Sequence, residues 1–151
     1  MLLAVPNFSE GRDGARIEAI STAFATGAAL LDTHSDPVHN RTVLTLSGPP
    51  ESLAEALANG ARACVESIDM RRHEGAHPCI GALDVCPVVW LREEDREPAR
   101  AEALAAARGI AAEARVPVFL YGELASQVAH SERAFFRAGG LVELRRRLDS
   151  G

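Results

Sequence analysis

The stretch that begins at Gly48-Pro49-Pro50 constrains the fold most. The two prolines end the preceding strand, because proline has no amide hydrogen to give to a sheet. The residues that follow, 51–69, carry apolar side chains at helical spacing on one stripe, namely Leu53, Leu57, Ala61, Cys64 and Ile68. We therefore predict an amphipathic helix over 51–69 whose apolar stripe packs into the core.

Apolar segments of strand and helix character alternate around this helix. The pattern predicts strands over 2–6, 28–32, 42–46, 85–91 and 116–121, with a polar loop over 33–41. It predicts further helices over 12–26, 98–115 and from about 132, the last interrupted by Gly139-Gly140. The strand over 85–91 is mostly apolar, which favours a central position in the sheet.

The first six elements follow the order β-α-β-β-α-β, which is the split β-α-β order of a ferredoxin-like domain. We therefore predict an α+β fold of this kind, with helices on one face of a mostly antiparallel sheet. The chain has 151 residues and shows no internal repeat or linker, so residues 1–151 are predicted to form a single domain.

Composition excludes several classes of function. The net charge of -5 argues against a nucleic-acid partner. All 16 basic residues are arginine, which excludes a lysine nucleophile or Schiff base. The 3 cysteines form no CxxC pair, which suits a reducing cytoplasm. No signal peptide is evident and no apolar run could span a bilayer, so we expect a cytoplasmic protein without membrane contact.

The loop between the 51–69 helix and the next strand is the richest in groups that can do chemistry. His77 precedes Pro78, which pushes the backbone of His77 to an extended conformation. Gly75 and Gly81 flank it and permit close approach of the backbone. Imidazole titrates near neutrality, which makes His77 a candidate for proton transfer. The alternative is that His73 and His77 are polar loop residues with local hydrogen bonds only.

A second polar cluster precedes the strand over 42–46. Arg41 could hold a carboxylate through two parallel hydrogen bonds, and Asn40 stands beside it. The alternative is a solvated strand end.

A metal site is the other chemistry that these two clusters suggest. Four histidines could converge, namely His34, His39, His73 and His77. No pair has the spacing of helical ligands, because Gly75 and Pro78 exclude a stable helix around His77, and no cysteine lies at ligand spacing. We therefore predict no metal.

Several motifs occur in an order that resembles a known family. They are Val5–Gly11, Asn40–Val43, Gly48–Pro50, Gly75–Pro78 and Gly81–Val85, and Tyr121–Glu123 fits as well. Together they resemble the N-terminal subdomain of the glutamate formimidoyltransferases. The same transferase forms one half of formiminotransferase-cyclodeaminase. The resemblance runs over almost the whole chain.

The resemblance implies transfer of a formimino group from N-formimino-L-glutamate to N5 of tetrahydrofolate, the co-substrate, in histidine degradation. It implies that His77, in the family's G-x-H-P motif, moves protons as general acid and base. By motif position, Arg41 would anchor a carboxylate, and Asn7, Asn40 and Asp84 would line the site with polar groups.

Three departures from the family pattern leave an alternative open. The family's transferase has a second subdomain, with folate between the two, and residues 1–151 hold only the first. A homo-oligomer or a separate second-subdomain chain would then complete the cleft. Cys79 stands where arginine is common, and His34 where some relatives carry an acid. The alternative is a non-enzymatic module that binds folate, another ligand or a protein.

Overall fold

The computed structural model of the chain describes residues 1–76 and 78–149. The strands are β1 (Leu2–Ala4), β2 (Asn7–Phe8), β3 (Ala29–Asp36), β4 (Arg41–Gly48), β5 (Leu83–Val85) and β6 (Val88–Val89). The helices are α1 (Gly14–Phe24), α2 (Ser52–Ser67), α3 (Arg96–Glu113), α4 (Arg133–Arg137) and α5 (Gly140–Asp149), with short 3-10 turns between the later ones.

The strands form one antiparallel sheet around β4. Strand β4 pairs with β1, β2 and β3, while β5 pairs with β2 and β6 with β1. Proline interrupts two adjacent strands, at Pro6 and at Pro87. Hydrogen bonds of 3.0 Å from Leu44 N to the Pro6 carbonyl and from Val5 N to the Pro87 carbonyl continue the pairing through both interruptions.

The core lies between this sheet and the helices. Alternate residues of β4 (Thr42, Leu44 and Leu46) are fully buried, whereas Arg41, Val43 and Thr45 are half-buried. This alternation is the two-residue period of a strand with one covered face. Phe8 of β2 stacks on Phe24 of α1 with ring centroids 6.4 Å apart. The predicted apolar stripe of α2 is confirmed, because all five of its residues are buried.

The α+β class and the antiparallel sheet with helices are confirmed. The prediction of a loop over 33–41 is wrong in its first half, because β3 remains paired with β4 up to Asp36 and Arg41. Only 37–40 form the turn.

Two strand predictions in the second half of the chain are wrong. The apolar segment 85–91 is not central, because Cys86-Pro87 divides it and its two short strands lie at the ends of the sheet path β5-β2-β4-β1-β6. Apolar side chains around these strands pack instead against core clusters that include residues of α3, and Cys86 joins Val116 and Val118 of the segment after it. The segment 116–121 forms no strand and pairs with no described strand. Within the described residues, no helix combines the length and apolarity needed to cross a membrane.

Candidate active site

Asn7 and Arg41 form the first part of the candidate site. Asn7 follows the Pro6 interruption, pairs with Val43 in the sheet and is only 5% exposed. Its Nδ2 donates to the Val5 carbonyl at 2.8 Å, and its Oδ1 accepts from the Arg41 guanidinium. Two residues that were predicted separately from the sequence therefore meet in the structure, and Asn7 holds the arginine beside the half-buried face of the sheet.

Asn40 lies one residue before Arg41 and joins loops that are distant in sequence. Its Oδ1 accepts from the Gly11 amide at 2.9 Å, and its Nδ2 donates to the Glu74 carbonyl at 3.0 Å. The same Nδ2 lies 3.5 Å from Nδ1 of His73. Asn40 therefore connects the loop after β2 to the loop that precedes His77.

Asp84 of β5 is the one carboxylate among the predicted site residues, and its side chain is 1% exposed. Its Oδ1 accepts from the Ile80 amide at 2.9 Å, which closes the turn before β5. Its Oδ2 forms an ion pair with Arg137 of α4. A buried carboxylate needs such a partner, since an unpaired charge in the interior is costly.

Sequence reasoning did not identify Arg137. It lies in a short helix far along the chain from Asp84, and nothing in the local pattern distinguishes it from the other arginines of the C-terminal segment. The basic character of 133–147 was the only available signal, and it does not specify which side chain turns inward.

Cys79 lies between these two parts of the site. Burial raises the pKa of its thiol, while a hydrogen bond with Ser9 lowers it by less. The charges of Asp84, Arg137 and Arg41 also act on the thiol, which indicates that all three lie near it. With its pKa above the ordinary value, the thiol is neutral at pH 7 and is a poor nucleophile.

His77 itself lies outside the described residues, so its predicted role stays a prediction. Its neighbour Ala76 donates its amide to the Val38 carbonyl at 3.1 Å, which fixes the chain just before it. The other histidines of the metal alternative are dispersed among different partners: His34 lies in the exposed strand β3, and His39 contacts Asp36 at 2.5 Å. No group of three or more potential metal ligands occurs in the described part of the chain.

A cavity of about 750 Å³ opens beside Asp84, between β5, β6, α2, α3 and the C-terminal segment. Its walls are mainly apolar, with side chains that include Val88, Trp90, Ile110, Val118 and Phe136. Asp84, Arg137 and Tyr121 are among the polar residues that line it. The volume falls in the range of small-molecule sites, which are usually apolar with a few placed polar groups.

These features describe an α+β domain with a candidate small-molecule site at the loops around β2, β4 and β5. The Arg41 guanidinium, held by Asn7, is of the type that can bind a ligand carboxylate, whereas the charge of Arg137 is balanced by Asp84. The described residues alone show no activated nucleophile.

The comparisons identify the family. The chain matches the formiminotransferase domain, N-terminal subdomain, over residues 1–150, and it belongs to this family. It is 46% identical over 137 residues to formimidoyltransferase-cyclodeaminase of Sus scrofa, covering 89% of this chain and 25% of that protein. It is 38% identical to glutamate formimidoyltransferase of Streptococcus pyogenes serotype M1, covering 89% of this chain and 46% of that protein.

A further relative, glutamate formimidoyltransferase of Thermoplasma acidophilum, is 38% identical over 88% of this chain and 45% of its own length. The resemblance found in the sequence motifs is therefore confirmed, and the named relatives are transferases. The chain spans from about a quarter to about half of the length of these relatives.

Proposed function

We propose that this chain supplies the N-terminal half of a formimino-transfer site. The reaction would move the formimino group of N-formimino-L-glutamate to N5 of tetrahydrofolate. Family membership over residues 1–150 carries the proposal, because the match includes every element that bears the candidate site. The names of the relatives support formimidoyl transfer, and folate as the acceptor rests on the resemblance of the motifs.

The chemistry requires one proton acceptor and one proton donor. N5 of the folate attacks the amidine carbon and loses its proton as the new C–N bond forms. The bond from that carbon to the glutamate nitrogen then breaks, and the departing amine takes up a proton. We assign both transfers to His77, because a group with a near-neutral pKa can accept and then return the proton at pH 7.

Arg41 is the proposed anchor for a carboxylate of the glutamate moiety. The contact with Asn7 orients its guanidinium, and orientation reduces the entropy lost on binding. Asn7, Asn40 and Asp84 are the proposed polar lining, and Asp84 also holds Arg137 in place.

We propose further that a second subdomain completes the folate cleft, either on a separate chain or through a homodimer. A location in the cytoplasm suits a reaction on soluble metabolites. The strand arrangement supports a ferredoxin-like assignment: with β1/β2 and β5/β6 taken as interrupted strands, the sheet order is β5/β6, β1/β2, β4, β3. This is the order expected of a split β-α-β unit.

Calorimetric titration with a stable 5-substituted tetrahydrofolate, with the mass in solution measured in the same buffer, tests the first step. We expect micromolar binding by a dimer or by a complex with the second subdomain. Formimino transfer is then assayed for the wild type and for His77→Ala. We expect His77→Ala to bind the folate and to lose transfer, and full activity in that variant would refute the role of His77.

A non-enzymatic binding module is the second candidate, and Cys79 favours it. A neutral thiol stands where the family commonly has arginine, so the site has one positive charge fewer than expected. The titration and the transfer assay together distinguish the two candidates. Binding without transfer, in the presence of a second subdomain, would support the module.

A further inference from the structure

Asn40 occupies a turn that is held between two other loops. Its backbone has φ of +50°, in the left-handed region that asparagine tolerates better than most residues. A Cβ on Gly11 would lie 2.3 Å from the Asp36 carbonyl oxygen, and a Cβ on Gly75 would lie 2.3 Å from the His39 carbonyl oxygen. The turn therefore touches the backbone of both neighbouring loops, and only glycine allows this approach.

The carboxamide of Asn40 forms one hydrogen bond to each of these loops. Its oxygen accepts from the Gly11 amide at 2.9 Å, and its nitrogen donates to the Glu74 carbonyl at 3.0 Å. The residue is 9% exposed, so little of the side chain can reach a ligand. Buried amide groups that are satisfied inside the protein seldom exchange partners, because breaking the bond leaves a polar group unpaired.

Residues 73–76 have no helix or strand of their own to hold them. The bond from Asn40 to the Glu74 carbonyl and the 3.1 Å bond from the Ala76 amide to the Val38 carbonyl tie this segment to the turn, in addition to the 3.5 Å contact between Asn40 and His73. Ala76 is the residue before His77, and Pro78 restricts the backbone on the other side.

We propose that Asn40 is a positioning residue, which fixes the segment 73–76 and thereby the backbone that carries His77. The inference rests on the proposed function. Under it, Asn40 acts on the reaction through the loop and does not contact the substrate. Small displacements of a catalytic group lower the rate of the chemical step more than they lower binding, since proton transfer depends on distance and direction.

Two variants separate the contacts. Asn40→Asp keeps an acceptor for the Gly11 amide and keeps a residue that tolerates positive φ, but it places a carboxylate oxygen where the Glu74 carbonyl needs a donor. Asn40→Gly keeps the backbone conformation and removes both side-chain bonds. Asn59→Asp, on half-exposed α2, adds the same charge away from the loop and is the control.

Amide hydrogen exchange is measured on this chain, and transfer kinetics are measured on the same chain in the presence of the second subdomain. In Asn40→Asp we expect the Ala76 amide to exchange about tenfold faster or more, with the Gly11 amide still protected. In Asn40→Gly both amides should exchange faster. Transfer should fall about tenfold or more in kcat, with KM for formiminoglutamate within about twofold. Asn59→Asp should match the wild type in all of these.

Three results would overturn the proposal. Unchanged exchange at Ala76 would show that Asn40 does not hold the loop. Faster exchange with an unchanged kcat would show that the reaction does not depend on a fixed conformation of segment 73–76. A raised KM with an unchanged kcat would indicate direct substrate binding. If the wild type shows no transfer at all, the proposed function fails instead, and the exchange data still decide whether Asn40 holds the loop.

Discussion

The N-terminus of α2 depends on a carboxylate from another helix. Its N-cap residue, Glu51, has φ of +73° and makes no side-chain capping bond. Glu102 of α3, only 3% exposed, takes over this role: its Oε2 accepts from the Glu51 amide at 2.7 Å and its Oε1 from the Ala54 amide at 2.6 Å. A negative charge at this position also interacts favourably with the helix dipole.

Glu102→Ala removes both acceptors and leaves two amide groups of α2 without a partner. A hydrogen bond to a charged group contributes about 1.5–3 kcal/mol. Because the helix end can relax and admit water, we expect the pair to be worth about 3 kcal/mol. Glu102→Gln keeps one acceptor oxygen but puts an NH₂ group against the second amide, so we expect a loss of about 1.5 kcal/mol.

Urea unfolding followed by far-UV circular dichroism measures these losses as changes in the free energy of unfolding. Glu97→Ala is the control on the same helix, because its side chain is 83% exposed and its contact with Arg100 is 3.6 Å long. Surface pairs of this kind contribute at most about 1 kcal/mol. A Glu102→Ala protein within about 0.5 kcal/mol of the wild type would refute the capping argument.

Three further substitutions test the packing and electrostatics. Gly60→Ala should lower the free energy of unfolding by about 1–3 kcal/mol, because its Cβ would lie 2.1 Å from the Phe24 ring. The phenol oxygen of Tyr121 is buried without a hydrogen-bond partner among the described residues, so Tyr121→Phe should be neutral or stabilising by about 1 kcal/mol. Burial alone would raise the pKa of the Glu10 carboxyl, but hydrogen bonds from backbone amides and an arginine outweigh it and lower that pKa. Glu10 therefore stabilises the fold above about pH 4.3, and this contribution is lost as the pH falls through the lowered pKa. In Glu10→Gln the free energy of unfolding should depend less on pH over this acid range.

Denaturant unfolding also measures these three effects, and each has a result that contradicts it. Gly14→Ala is the control for Gly60, since no described atom lies within 4 Å of the added Cβ. Equal stability of the two alanine variants would show that the Phe24 contact relaxes at no cost. A loss of more than about 1 kcal/mol in Tyr121→Phe would reveal a hydrogen bond of the hydroxyl. For Glu10, an unchanged dependence on acid in Glu10→Gln would assign the effect to other carboxylates.

Local patterns predicted the first half of the fold well. The stripe on α2 is periodic over several turns, so packing and propensity agree and each residue adds to the same signal. The segment 116–121 shows the opposite case. It is apolar and β-branched, but a strand exists only if a neighbour offers a free edge in register, and sequence does not report the neighbour.

The candidate site divides in the same way. Asn7, Asn40, Arg41 and Asp84 could be found because they lie in family motifs, yet their contacts follow from the register of β2, β4 and β5. Arg137 could not be found, because it reaches Asp84 from α4, 53 residues further along the chain, and that contact depends on the tertiary fold. The sequence nominated residues for the candidate site, but it did not indicate which of them hold one another in place.

The position of the site follows from the irregularity of the sheet. Pro6 and Pro87 interrupt two adjacent strands at the same level, and each removes a donor from the ladder. Asn7 follows the first interruption and Asp84 precedes the second, so both lie on the short strands beyond the break. A regular ladder would hold these strands in a continuous sheet, with side chains alternating strictly between its faces. Interrupted strands can turn their polar groups towards the loop before β5, which holds Cys79 and the segment before His77, and towards the turn between β3 and β4, which holds Asn40.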